Sequence, residues 1–231
     1  VAKTNHRVPV IAGVGCNATE RTISFMEKVN DLGVDGMLIV TPYYNKATQN
    51  GLYEHYRQIA EHTPKPIILY NIPSRTGCNM LPETVARIAD SCPNVTGIKE
   101  ASGNISQVAK LASLVGDRLD IYSGNDDQIV PVMSLGGTGV ISVLANLLPK
   151  NIHDITKEML NGNYITAKNA QLAYEKLIEK LFAEVNPIPV KAALHMMGMD
   201  VGPVRLPLTE LEETHKIELK RAMSEAGIRS L

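Results

Sequence analysis

The stretch Val95-Thr96-Gly97-Ile98-Lys99-Glu100-Ala101-Ser102-Gly103-Asn104 sets one lysine inside an apolar run that ends in a loop of small residues. A lysine enclosed in a β/α core loses hydration, which disfavours its ammonium form and lowers its pKa. Such a lysine is a nucleophile toward carbonyls and forms Schiff bases. Taken alone, the stretch favours an ordinary strand-end lysine, its ammonium in water or paired with a carboxylate. Two further residues change that reading. Tyr70, in Ile67-Ile68-Leu69-Tyr70-Asn71, offers a phenol within reach of acid–base work. Arg75, in the tight loop Ile72-Pro73-Ser74-Arg75-Thr76-Gly77, offers a planar guanidinium suited to a bidentate carboxylate pair. Together they suit a lysine that condenses with a keto acid, a phenol that moves protons and a cation that reads a carboxylate.

The elements that must position these residues alternate. Strands are expected at Val8–Val14, Gly36–Val40, Pro66–Asn71, the lysine run, Leu119–Gly124 and within Gly136–Val143. Helical periodicity separates them, at Ala18–Leu32 (with Ile23, Met26 and Val29 on one face), Gln49–Glu61, Leu81–Ala89, Ile105–Val115 and Asp126–Leu135. After Pro149 the alternation stops, and Asn151–Asn161, Tyr164–Glu184, Pro189–Met197 and Glu210–Ala226 read as helices alone. Continuous apolar strands, each followed by a helix, mean a parallel sheet covered on both faces. The count does not separate a doubly wound sheet from a barrel. In both, active sites gather at the carboxyl ends of the strands. Those ends carry Tyr43, Tyr44, Tyr70, Arg75, Lys99, Gly124 and Ile141. Tyr70 and Lys99 fall on consecutive strands, and strand alternation turns Glu100 to the face opposite Lys99, toward the helical layer or a loop.

Composition narrows the classes. With 231 residues, 44% of them hydrophobic and a formal net charge of −1, the chain is an ordinary globular α/β candidate with no basic excess for nucleic acid. No apolar run approaches the ~20 residues that span a bilayer, so no membrane is expected. The opening Val1-Ala2-Lys3-Thr4-Asn5-His6-Arg7 lacks an apolar signal region, and Cys16, Cys78 and Cys92 have no metal spacing. A cytoplasmic protein with reduced thiols is expected. Neither a glycine-rich nucleotide fingerprint nor a His/Asp/Glu metal cluster is present in the sequence, so no cofactor and no metal are expected.

Thr41-Pro42-Tyr43-Tyr44-Asn45, Leu69-Tyr70-Asn71-Ile72-Pro73-Ser74-Arg75-Thr76-Gly77, Gly97-Ile98-Lys99-Glu100-Ala101-Ser102-Gly103-Asn104 and Asn186-Pro187-Ile188-Pro189-Val190-Lys191 resemble dihydrodipicolinate synthases, in the family's order and over essentially the whole chain. The resemblance implies a (β/α)8 TIM barrel with a C-terminal helical domain, here six strands over residues 1–162 and helices over residues 163–231. It implies a homo-oligomer, dimer or tetramer. It implies condensation of pyruvate with L-aspartate semialdehyde, the branch-point step of lysine synthesis. Lys99 matches the family's Schiff-base lysine, Tyr70 its proton-relaying tyrosine and Arg75 the arginine that receives the semialdehyde carboxylate. Tyr44 matches the tyrosine that reaches a neighbouring subunit's site, and Gly124 and Ile141 match positions lining the pyruvate pocket. Sialic-acid lyases and keto-deoxy-sugar aldolases share the lysine and tyrosine, but Arg75 suits a short carboxylated aldehyde better than a polyhydroxy sugar. A non-catalytic scaffold subunit is the reading from another class.

The resemblance also implies a truncation. Val1 falls just before the family's third strand, so two β/α units, about 60 residues at ~30 per strand-helix-strand segment, would precede it. They carry a Gly-Thr-Thr-Gly-Glu loop that completes the proton relay and holds the pyruvate carboxylate. A chain without that loop is expected to form the Schiff base but turn over poorly. In the family, lysine feedback uses a site that includes Asn17 and Tyr43; Arg21 stands where lysine-sensitive members carry glutamate, so weak or absent lysine inhibition is expected.

Overall fold

The computed structural model describes residues 1–229. Six strands, β1 (Ile11–Gly13), β2 (Gly36–Val40), β3 (Ile67–Asn71), β4 (Val95–Glu100), β5 (Asp120–Ser123) and β6 (Gly139–Val140), form one sheet in chain order. The pairings from β1 through β5 are parallel. A doubly wound sheet reverses its order at a switch point, whereas strands laid down in sequence make a barrel wall. The strand order therefore decides what the strand count left open.

Helices α1 (Thr19–Asn30), α2 (Gln49–Glu61), α3 (Pro73–Thr76), α4 (Pro82–Ser91), α5 (Ile105–Val115) and α6 (Ile129–Ser134) alternate with these strands. Then come α7 (Pro149–Leu160), α8 (Tyr164–Ala173), α9 (Glu175–Leu181), α10 (Ile188–Met196) and α11 (Glu213–Glu225). By packing, the chain divides into two compact units, residues 1–124 with 134–139 and residues 125–133 with 140–231. The first has its core between sheet and helices: Met37, Ile39, Leu69 and Ile98 on the strands meet Met26, Leu52, Ile59, Ile88 and Leu111 on the helices, and all nine are almost fully buried. The second is a helical core of Leu144, Ile155, Leu177, Leu181, Ala193, Leu219 and Met223. No helix among the described residues is long and apolar enough to cross a membrane.

Several expectations are corrected by tertiary context. The first strand is three residues rather than seven, and its burial runs exposed, half-buried, exposed. Val10 is occupied otherwise: its amide donates to Asp35 Oδ2 at 2.7 Å and its carbonyl accepts from the Asp35 amide at 2.8 Å. On α1 the buried face is Thr22, Met26 and Val29, with Thr22 in place of the half-buried Ile23. The sixth strand stops at Val140, because Asp126 Oδ2 captures the amides of Val143 (3.0 Å) and Leu144 (2.9 Å) and turns the chain into a short 3-10 helix. The long helix expected from Tyr164 to Glu184 breaks at Tyr174, whose amide tightens onto Gln171 O at 3.0 Å.

Candidate active site

Tyr70 and Lys99 are direct partners across β3 and β4, so their side chains leave the sheet on one face. Lys99 Nζ lies over the Tyr70 ring, 4.3 Å from its centroid. Both residues are half-buried. Burial pushes the Tyr70 phenol above the usual tyrosine range, while the Arg75 guanidinium pulls it the other way. The phenol is therefore protonated at neutral pH, ready to give a proton rather than take one.

Arg75 is held by local structure that the sequence showed only as a tight loop. Pro73 opens the single turn α3, and Gly77 closes it in the left-handed region at φ 69°. That backbone suits glycine, which has no Cβ to clash. Thr76, buried, ties the turn down: its hydroxyl meets Thr41 Oγ1 at 3.3 Å, and its carbonyl accepts from the Tyr44 amide at 3.1 Å. The Thr41 amide in turn donates to Tyr70 O at 2.9 Å. The Tyr43–Tyr44 loop, the arginine turn and the tyrosine strand are thus one hydrogen-bonded assembly. Thr41 and Thr76 were not singled out from sequence; for Thr41, its place directly after an apolar strand was the available signal.

Gly124 closes the other side. A Cβ built there would fall 2.5 Å from Ala101 Cβ and 3.1 Å from Lys99 Cε. Only a residue without a side chain leaves Lys99 its room. Tyr43 and Tyr44 are exposed, Tyr44 to 88%, and Tyr44 adopts φ 75°, unusual for a residue with a Cβ. Asn17 offers its carbonyl to Asn45 Nδ2 at 2.9 Å, which links it to the double-tyrosine loop. Ile141 is half-buried directly after β6 and belongs to the second packing unit.

On the reverse face of the sheet, Asn71 and Glu100 are partners in the next register position. Glu100 is 3% exposed. Its carboxylate accepts from Asn71 Nδ2 (3.0 Å), the Ser102 amide (2.7 Å) and Gln107 Nε2 (3.4 Å). Glu100 therefore faces the helical layer, as strand alternation requires. Asn71, Asn79 and Gln107 were missed from sequence; a polar residue closing an apolar strand was the signal for Asn71, while Asn79, in a loop, and Gln107, on α5, had none.

In chemical terms, one face of the β3–β4 pair presents an amine beside a protonated phenol, with a guanidinium close enough to act on that phenol electrostatically. That set can condense an amine with a ketone, pass protons to the departing oxygen and attract a carboxylate. The three cysteines are free, Cys78 and Cys92 buried and Cys16 half-buried.

Residues 1–226 match the model of the Dihydrodipicolinate synthetase family. A 4-hydroxy-tetrahydrodipicolinate synthase of Caldicellulosiruptor saccharolyticus is 56% identical over 222 residues, 96% of this chain and 75% of that protein. A dihydrodipicolinate synthase of Cyanidioschyzon merolae, solved with lysine bound, is 44% identical with a TM-score of 0.93, covering 95% of this chain and 74% of the other. The enzyme of Acinetobacter baumannii, solved chloride-inhibited and complexed with pyruvate, is 43% identical with a TM-score of 0.94, covering 97% of this chain and 77% of the other.

Proposed function

The chain belongs to the dihydrodipicolinate synthetase family, and on that premise we propose how its residues divide the family's reaction. The activity is that of a lyase of the class I aldolase type, condensing pyruvate with L-aspartate semialdehyde to give 4-hydroxy-tetrahydrodipicolinate in lysine biosynthesis. Lys99 is the nucleophile. Its neutral amine attacks the pyruvate ketone, forming a C–N bond, and the ketone oxygen leaves as water after gaining protons through Tyr70. A methyl proton passes back to the Tyr70 phenolate, giving the enamine. The enamine carbon attacks the semialdehyde carbonyl, whose oxygen takes a proton from Tyr70. The semialdehyde amine then displaces Lys99 from the imine carbon, closing the ring and freeing the enzyme.

Arg75 receives the semialdehyde carboxylate: its backbone is fixed by a hydrogen-bonded turn and its exposed, planar guanidinium suits a bidentate carboxylate pair. Gly124, packed against Lys99 and Ala101, lines the pyruvate pocket. Tyr44, displayed to solvent by a left-handed backbone, reaches into a second copy of the chain, which makes the enzyme a homo-oligomer, dimer or tetramer. Residues 1–162 form the barrel segment and residues 163–231 the helical domain. The free thiols suit a cytoplasmic location. Asn17 and Tyr43 stand at a lysine site weakened by Arg21, so a lysine titration is expected to leave activity nearly unchanged; strong inhibition would count against this assignment.

The observation that carries the reading is the Lys99 amine 4.3 Å from the Tyr70 ring centroid on one face of the sheet. Pyruvate with borohydride is the test. Reduction should fix one pyruvate on Lys99, read as a mass increase on the peptide that contains it, and Lys99→Ala should remove the label. Labelling that is absent, or that survives in Lys99→Ala, would reject the Schiff base.

A further inference from the structure

The Tyr70–Lys99 pairing is right only in one strand register. Because side chains alternate, a slip of one residue would send Lys99 into the helical layer and bring Glu100 to the reactive face. The ladder between β3 and β4 does not by itself impose the register. It is irregular at its start, where Ile67 pairs with Val95 but Ile68 pairs with Gly97. Something nearer the carboxyl ends must hold the pairing.

We infer that Glu100 and Asn71 form a register clamp, making both positioning residues for the Schiff-base lysine. This rests on the assignment of Lys99 given above. Asn71 and Glu100 are register partners one step beyond Tyr70 and Lys99, with side chains on the opposite face. Asn71 Nδ2 donates to Glu100 Oε2 at 3.0 Å and to Asn79 Oδ1 at 2.9 Å, while Asn71 Oδ1 accepts from the Met80 amide at 2.9 Å. Asn79 Nδ2 donates to Gln107 Oε1 at 2.8 Å, which ties α5 into the same network. The second oxygen of Glu100 holds the Ser102 amide at 2.7 Å and fixes the start of the loop after Lys99. The main chain repeats the pattern: Gly124 N donates to Glu100 O at 2.8 Å, and Ala101 N to Asn71 O at 2.9 Å. Asn71 is fully buried and Glu100 is 3% exposed. Polar groups so buried are costly when a partner is lost, so a shifted register that breaks the network is strongly disfavoured.

The pair is testable because its polarity can be reversed. Glu100→Gln alone sets an amide NH2 against a donor in either orientation, the Asn71 NH2 or the Ser102 N–H. Asn71→Asp alone sets carboxylate against carboxylate. Together they restore one donor facing one acceptor across the pair, once the mutually paired Asn79 and Gln107 amides turn over so that Asn79 donates to the new carboxylate. Each single variant is expected to slow pyruvate–borohydride labelling of Lys99 by about tenfold or more, since small misplacements of a reacting group cost that much. The double variant should recover most of the rate. A second readout does not depend on chemistry: reductive 13C-methylation of Lys99, its signal assigned with Lys99→Arg, reports the shielding by the Tyr70 ring. Single variants should lose that displaced signal and the double variant regain it. Single variants that keep both the labelling rate and the shielded signal, whatever their melting temperature, overturn the clamp. A parent chain that fails to label but shows the shielded signal, lost in single variants and regained in the double, would overturn the Schiff base and leave the clamp standing.

Discussion

β4 and β1 are both short runs with apolar residues in one sheet, yet they end up in opposite conditions. In β4, Val95, Gly97, Ile98 and Glu100 are buried and Lys99 is half-buried. In β1, Ile11 remains 46% exposed and only Ala12 reaches half-burial. The difference is in the neighbours. β4 has β3 on one side and β5 on the other, while β1 pairs with β2 alone. Apolar sequence makes a strand possible; flanking strands and helices decide how much of its surface leaves water. Half-buried Tyr70 and Lys99 sit on the two strands whose flanking residues are buried and whose reverse face carries the polar network of Asn71 and Glu100.

Substitutions in the two strands should separate these conditions. Ile98 is fully buried, and Ile98→Ala should cost about 4 kcal/mol, as large-to-small core changes do. Chemical denaturation would measure it, and a cost under about 1 kcal/mol would mean that the centre is looser than its burial implies.

Acid offers the next contrast. His55, on α2, is 4% exposed and hydrogen-bonded through Nδ1 to Thr19 Oγ1 of α1 at 2.9 Å. Burial pushes its pKa from 6.5 down to about 4. The fold therefore favours neutral imidazole. That contribution is complete above pH 6.5 and is lost as pH falls from 6.5 toward 4, on the order of 3 kcal/mol in all. Hydrogen exchange between pH 7 and pH 4 should show α1 and β1 opening before β4, with His55→Gln removing the pH dependence. Equal loss of protection in both strands would erase the distinction.

At the reactive end of β5, Gly124→Ala should cost about 2 kcal/mol through overpacking, because the new methyl meets Ala101 and Lys99. Pyruvate labelling should slow by more than this stability loss explains. The smallest effect belongs to the outer strand: Ile11→Ala should change stability by less than about 1 kcal/mol, measured beside Ile98→Ala in the same denaturant series. A larger cost would show that β1 is better covered than its exposure suggests.

Much of this arrangement was legible in the sequence. Helices Gln49–Glu61 and Ile105–Val115 have the expected limits, and both carry local start signals. Thr48 Oγ1 accepts from the Gly51 amide and Asn104 Oδ1 from the Gln107 amide. The juxtaposition of Tyr70 with Lys99 followed from consecutive strands and alternation. What was hidden depends on residues distant in sequence. The end of β6 is set by Asp126, seventeen and eighteen residues before the amides it holds. The break at Tyr174 accompanies a hydrogen bond from Asn151 Nδ2 to its phenol oxygen at 2.6 Å. Neither contact has a local pattern, so periodicity alone ran through both places.

The φ of 75° at Tyr44 has a cost that its exposed ring does not offset within the chain. A residue with a Cβ in that conformation stores on the order of 1–3 kcal/mol, held here by anchors on either side, while its ring contributes almost no packing. Glycine at this place would relax the backbone and make the isolated chain sturdier. A selection for thermal tolerance alone would therefore be expected to discard this tyrosine first.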